Sequence, residues 1–150
     1  MAKRRTSYVP KAFESNGAKS DTSANIYMSM LMSTAFMELN PRQKTLYLYC
    51  KAQQYAEKHT EEQEQFTMNR SKWNNLYHLY SNGNSGSFYK DMSRLIEVGL
   101  VDCVSCGADS RQKSIYRLSS RWHEFGTDAY VLPEQVKTIA LRGTRKRDKT

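Results

Sequence analysis

Five side chains able to bind an anion fall within ten residues of one another in "SGSFYKDMSR", 85–94: Ser85, Ser87, Tyr89, Lys90 and Arg94. Lysine and arginine are cationic donors that suit phosphate oxygens and guanine edges, and hydroxyls at a helix start hold a phosphate beside exposed backbone N–H groups. Further on, "CGADSRQK", 106–113, brings Arg111 and Lys113 to a turn-rich tip, and Arg145, Lys146 and Arg147 lie near the end of the chain. The chemistry these residues share is recognition of a polyanion.

A second grouping is "CVSC", 103–106. Its C-x-x-C spacing is that of a zinc or redox pair, but a zinc knuckle needs two more ligands, and only Cys50, His59, His78 and His123 are available to supply them. A thioredoxin-type pair opens a helix, whereas this one lies in strand and turn. The expectation is a core strand residue at Cys103 and an incidental turn thiol at Cys106, with a zinc- or redox-dependent regulator as a third-ranked reading. The aromatic residues Trp73, Tyr77, Tyr80, Phe88, Tyr89, Tyr116, Trp122 and Phe125 could stack single-stranded bases, but their helical and strand spacing assigns them to a core. Tyr89 is the one placed to reach a nucleotide. There is no phosphate-cradling glycine loop, no His-x-His pair, and no Ser/His/Asp grouping; Glu61, Glu62 and Glu64 read as a solvated loop. Neither an enzyme nor a cofactor is expected.

The elements that must position these residues follow from periodicity. With Phe88 at zero and ~100° per residue, Met92, Leu95 and Ile96 form one apolar stripe, while Lys90, Arg94 and Ser87 fall on the opposite side. Asp91 and Glu97 share this helix and would repel phosphate if they faced it. Gly99 sits where a left-handed stop belongs, "LVDCVS" alternates as a strand, and "SIYRL", 114–118, is a second strand across the tip. Upstream, Asn69 caps a helix whose Trp73, Leu76, Tyr77 and Tyr80 recur at helical steps, and "FTM", 66–68, is a brief strand. Asn40 and Pro41 start a helix expected to run to about residue 58 with both faces covered: Leu46, Tyr49 and Cys50 on one, Leu48, Ala52 and Tyr55 on the other. "IYMSMLM", 26–32, reads as a first strand and "STAFMEL" as a short turn capped by Ser33. "RWHEFG" starts a helix returning Trp122 and Phe125 to the domain. A last helix runs from Pro133 to about Leu141, its Val136, Ile139 and Ala140 free to meet a partner or to fold on DNA.

Together these parts predict an α+β, mainly helical fold: a winged helix-turn-helix with a two-stranded wing and flexible basic termini. Residues 1–24 are a basic arm, 25–126 the domain, and 127–150 a short helix with a basic tail. The formal net charge is +8, and all of the excess lies in the ends: residues 1–20 carry five basic side chains against one acidic, residues 137–150 six against one, and the middle twelve against thirteen. Basic ends around a neutral domain suit nucleic acid. No secretory h-region and no apolar run of membrane-spanning length is present, and three cysteines do not make a disulfide framework, so a cytoplasmic protein with no membrane partner is expected.

The stretch "IYMSMLMSTAFMELNPRQKTLYLY", 26–49, resembles the opening of winged-helix replication initiators and related proteins carried by plasmids, phages and integrative elements of Firmicutes-type bacteria. In that group a strand and a Ser-x-Ala-Phe/Trp-x-x-Leu-(Ser/Asn)-Pro segment precede a helix rich in leucine and tyrosine. The later "FYKDMSRLIEVGLVDCV" and "SIYRLSSRWHEFG" are similar to the group's recognition helix, wing and following Trp-x-x-(Phe/Tyr). The likeness covers about residues 25–126. It implies a double-stranded DNA-binding protein of a mobile element, acting in replication initiation or its control, with Ser87, Lys90 and Arg94 on the reading helix and Arg111 and Lys113 on the wing. Initiators of this type usually carry further sequence, often a second winged helix, which leaves an accessory or regulatory DNA-binding role open for this chain. A homodimer and replication proteins stay open as partners. The alternative is a protein-interaction adaptor or transcriptional regulator built on the same fold.

Overall fold

The computed structural model describes residues 24–53, 65–81, 83–107 and 113–144. The chain is α+β, with helices packed on a small three-stranded antiparallel sheet. Two single-turn helices come first, α1 (Met28–Leu31) and α2 (Thr34–Met37), followed by α3 (Pro41–Lys51). The strand expected at 26–32 is instead extended only up to Tyr27 and then helical. The Tyr27 carbonyl accepts from Met30 and Leu31, and only Met30 of α1 is buried, so the alternation a strand requires is missing. Ser33 caps α2 by accepting from the Phe36 N–H at 3.2 Å.

α3 opens on a reciprocal cap: Asn40 Oδ1 accepts from the Gln43 N–H at 2.9 Å, and Gln43 Oε1 accepts from the Asn40 N–H at 3.0 Å, with Pro41 in the first turn. The helix ends at Lys51 and not near residue 58; residues 54–64 lie outside the described structure. It buries Leu46, Tyr47 and Cys50, whereas Leu48 and Ala52 are exposed, so only one of its two expected apolar faces is covered.

Strand β1 (Gln65–Phe66) is followed by a π-helical segment, Ser71–Leu76. Asn69 caps it, its Oδ1 accepting from the Lys72 N–H at 3.1 Å. Here the expected α-helical stripe fails at Leu76, which is 64% exposed. The N–H of Tyr77 bonds to the carbonyl of Lys72, five residues back, at 2.9 Å, and this wider turn rotates Leu76 outwards while Trp73 and Tyr80 stay in the core. His78, at φ +52°, ends the segment.

Helix α4 (Ser85–Glu97) supplies the centre of the core. Phe88, Met92, Leu95 and Ile96 are all buried; Phe88 stacks on Trp73 with centroids 5.3 Å apart, and Tyr80 meets both rings edge-on. Gly99, at φ +85°, turns the chain into β2 (Val101–Ser105), and β3 (Ile115–Leu118) returns beside it. The sheet order is β1-β3-β2, with Phe66 opposite Tyr116 and Tyr116 opposite Cys103.

The "RWHEFG" segment makes a single 3-10 turn, Arg121–His123, in place of a longer helix; Trp122 and Phe125 do pack on the core. The last helix, α5 (Gln135–Thr144), lies against α4. Its Ile139 is fully buried, its Val136 is partly buried, and the Val136 carbonyl accepts from Ser93 Oγ at 3.0 Å. The apolar side of α5, expected to await a partner, is thus used within the chain, and one hydrophobic core runs from Met30 to Ile139.

Candidate nucleic-acid interface

Lys90 is exposed on α4, and Ser85 is exposed in its first turn. Asn84 precedes the helix without capping it through its side chain; its Oδ1 instead accepts from Ser87 Oγ at 2.8 Å. Ser87 is partly exposed and already committed to this local bond. Tyr89 is half-buried, edge-on to Phe88 with centroids 5.1 Å apart, so its ring forms part of the domain wall.

Arg94 is held on both sides. Its Nη1 donates to Glu97 Oε2 at 2.7 Å and its Nη2 to Glu38 Oε2 at 2.9 Å. Burial opposes its charge, but the two carboxylates outweigh burial and hold the guanidinium above its ordinary range. The pair also ties α4 to the end of α2. Arg94 is therefore already paired with two carboxylates, whereas Lys90 stands open.

Asp91 does not face outwards with Lys90. Its side chain is 4% exposed and accepts from Arg42 Nε at 2.6 Å, Tyr80 Oη at 2.7 Å and Gln43 Nε2 at 3.1 Å. The hydrogen bond that Arg42 donates to Asp91 holds the guanidinium above its ordinary value, and burial followed by that carboxylate pushes the Tyr80 phenol up. The acid expected to repel phosphate is thus an internal tie between α4 and α3. Glu97 is likewise occupied by Arg94.

The far end of α4 is fixed by residues with no periodic signal. Arg121 Nη2 donates to the carbonyls of Ile96 and Val101, each at 3.2 Å, while its Nε donates to Asp102 Oδ1 at 2.7 Å. Tyr130 Oη donates to the Glu97 carbonyl and accepts from Arg121 Nη1 at 3.1 Å. A cation and a hydroxyl thereby satisfy the last carbonyls of α4, where the helix dipole favours positive charge. The one hint in the sequence is an arginine shortly after a strand; its partners on α4 and β2 are 19 to 25 residues away in the chain, and Tyr130 is 9 away.

Among the other expected contacts, Lys113 is exposed two residues before β3, so it stands near the root of the hairpin tip. Arg111, Arg145, Lys146 and Arg147 lie outside the described residues. The structure therefore brings Ser85, Ser87, Tyr89, Lys90 and Arg94 onto one helix. Among the described residues, no three His, Cys, Asp or Glu side chains gather where they could hold a metal. No helix of the described structure is long and apolar enough to cross a membrane. Comparison with known proteins returns no matching family model, curated protein or solved structure.

Proposed function

We propose that the chain is a winged helix-turn-helix protein that binds double-stranded DNA, with α4 in the major groove and the β2–β3 hairpin as its wing. The observation carrying this reading is the course of α4: its apolar stripe is buried, Lys90 and Ser85 remain open, and Gly99 leads straight into a hairpin whose root presents Lys113. The order α3, β1, π-helical segment, α4, β2, β3 with sheet order β1-β3-β2 supports it. A helix fits the major groove, and its outward donors then meet base edges and phosphates. The basic ends add affinity without sequence preference. Ser85 and Lys90 make the primary contacts; Ser87 and Tyr89 lie at the margin, and Arg94 joins by exchanging Glu38 or Glu97 for phosphate. The resemblance to initiators of mobile elements makes replication initiation, or its control, the process served, in the cytoplasm and without catalysis by this chain.

Fluorescence anisotropy with the full chain and a mixed-sequence duplex at several salt concentrations tests this. Lys90→Ala should weaken binding and lower the slope of affinity against salt by about one contact. An unchanged affinity and slope would leave the ends as the sole source of binding and remove α4 from the interface.

A second reading, a protein-interaction adaptor, has its own observation. The N-terminal segment exposes Tyr27, Met28, Met32 and Met37, Met28 at 71%, and a cavity of about 480 Å³ lined by Tyr27, Lys51 and Trp122 lies beside it. In that case Lys90→Ala leaves the function intact, and substitution of Met28 and Met32 removes it.

A further inference from the structure

We propose that Cys103 and Cys106 are a reversible dithiol–disulfide pair that staples the bulged end of β2 to the residue that follows it, with a low-molecular-weight disulfide of the glutathione class as oxidant. In a regular strand, residues three apart point to opposite faces. The ladder between β2 and β3 is irregular between Cys103 and Ser105: Cys103 pairs with Tyr116, Ser105 pairs with Ile115, and Val104 is left out of the register and 44% exposed. The extra residue changes the parity, as a bulge does. Cys106 is thereby returned to the side of Cys103, and the two Sγ atoms lie 2.6 Å apart.

The two free thiols are in direct contact, the placement that a disulfide requires. Two thiolates on one tetrahedral zinc, each ~2.3 Å from the metal, have their sulfurs about 3.8 Å apart. A disulfide bond is ~2.05 Å long. The observed separation is nearer the bond, and the described residues offer no third ligand close by. The two thiols meet each other directly.

Access sets the order of events. Cys106 is half-buried and Cys103 is 7% exposed, so Cys106 meets the oxidant first. The Cys106 thiol loses its proton and the thiolate attacks one sulfur of glutathione disulfide, forming a mixed disulfide and expelling one glutathione thiolate. The Cys103 thiol then loses its proton, and its thiolate attacks Cys106 Sγ and expels the second. Two protein thiols become one disulfide, one glutathione disulfide becomes two glutathione thiols, and the two released protons go to the two expelled thiolates. Cys50 stands apart: it is fully buried in α3, and burial pushes its thiol up, away from reactivity. Across the tip, the Gly107 N–H donates to Ser114 Oγ at 3.3 Å, so oxidation adds a covalent tie beside an existing polar one. None of this depends on what the tip binds.

The test is equilibration of the native full-length protein in glutathione buffers from fully reduced to fully oxidised, followed by acid quench, denaturing alkylation and intact-mass and peptide analysis. Under oxidising buffer the expected product is about 2 Da lighter before alkylation. It has lost two of its three alkylatable thiols, maps to a Cys103–Cys106 link, and is restored by dithiothreitol. Cys106→Ser, at a partly exposed position that tolerates the change, should abolish the link. Three alkylatable thiols at every glutathione ratio would overturn the proposal. So would a glutathione adduct at Cys106 that persists with Cys103 intact, or protection of both thiols by stoichiometric zinc.

Discussion

A carboxylate that receives three hydrogen bonds with only 4% of its side chain exposed is the most consequential residue of α4. Asp91 joins the helix to α3 through Arg42 and Gln43 and to the segment before it through Tyr80. Arg42 is 45% exposed and can rehydrate, so Asp91→Ala is expected to cost less than the ~3–5 kcal/mol of breaking a fully buried pair. The remaining penalty is a buried Tyr80 hydroxyl without its acceptor, about 1–3 kcal/mol in urea unfolding. Tyr80→Phe should cost less than Asp91→Ala, because Asp91 keeps Arg42 and Gln43. An Asp91→Ala variant as stable as wild type would show that the tie carries no net stability. Arg94 is the contrasting case. Its two carboxylate partners are 38% and 48% exposed, and such pairs contribute ~0–1 kcal/mol. The two acids of α4 that looked alike in the sequence thus act differently: Asp91 holds the fold, while Glu97 restrains the Arg94 cation on the outer side of the helix.

At the scale of elements, the turn from α4 into β2 is the most constrained junction. Gly99 has φ +85°, and a Cβ there would lie 2.7 Å from the Trp122 backbone nitrogen and 2.8 Å from the Arg121 carbonyl carbon. Gly83 has nearly the same φ, +84°, with nothing within 4 Å of the equivalent position. Gly83→Ala should therefore cost only the left-handed penalty of about 1–2 kcal/mol. Gly99→Ala adds a clash with backbone atoms that cannot rotate away, so its loss should be clearly larger. Chemical denaturation of both variants compares them directly, and equal losses would mean that the 121–122 backbone yields. The stop at Gly99, the caps at Ser33, Asn40 and Asn69, and the buried stripe of α4 were all legible in the sequence: the caps are contacts over three residues, the stop is a left-handed position that favours glycine, and the stripe follows the helical period. The expected strand at 26–32 failed because strand pairing depends on a distant partner. The stripe failed at Leu76 because the wider π-helical turn takes that position out of α-helical phase, while Tyr80 beyond it still reaches the core. The bulge at Val104 left no mark in residue types, and so Cys106 looked like an incidental turn thiol beside a core strand residue at Cys103, although the fold brings the two sulfurs together. For the candidate site, the exposed position of Lys90 followed from periodicity. The tie from Arg94 to Glu38 did not, since Glu38 is 56 residues away.

The molecule as a whole builds one side of its core from weak acids kept neutral. Tyr47 and Cys50 share the buried face of α3, and Tyr80 closes over α4 beside them. Burial raises all three: Tyr47 from 10.0 to about 12, with the Tyr80 phenol and the Cys50 thiol moved in the same direction. Each group keeps its proton in the fold at a pH where the unfolded chain has released it. Their contribution is therefore fully present below the unfolded values, 9.0 for the thiol and 10.0 for the phenols, and is lost as pH rises through the folded ones. The urea midpoint should be flat from neutral pH to about 8.5 and fall from about pH 9, each group adding at most ~1.4 kcal/mol per pH unit while only its unfolded form is ionised. Tyr47→Phe removes one of the three protons from the difference and should make the decline between pH 10 and about 12 shallower. A midpoint that stayed level from pH 9 to 11 would mean that these groups gain access to water without unfolding. The α3–α4 junction would then open as a unit, and the tie through Asp91 would be the first contact to re-examine.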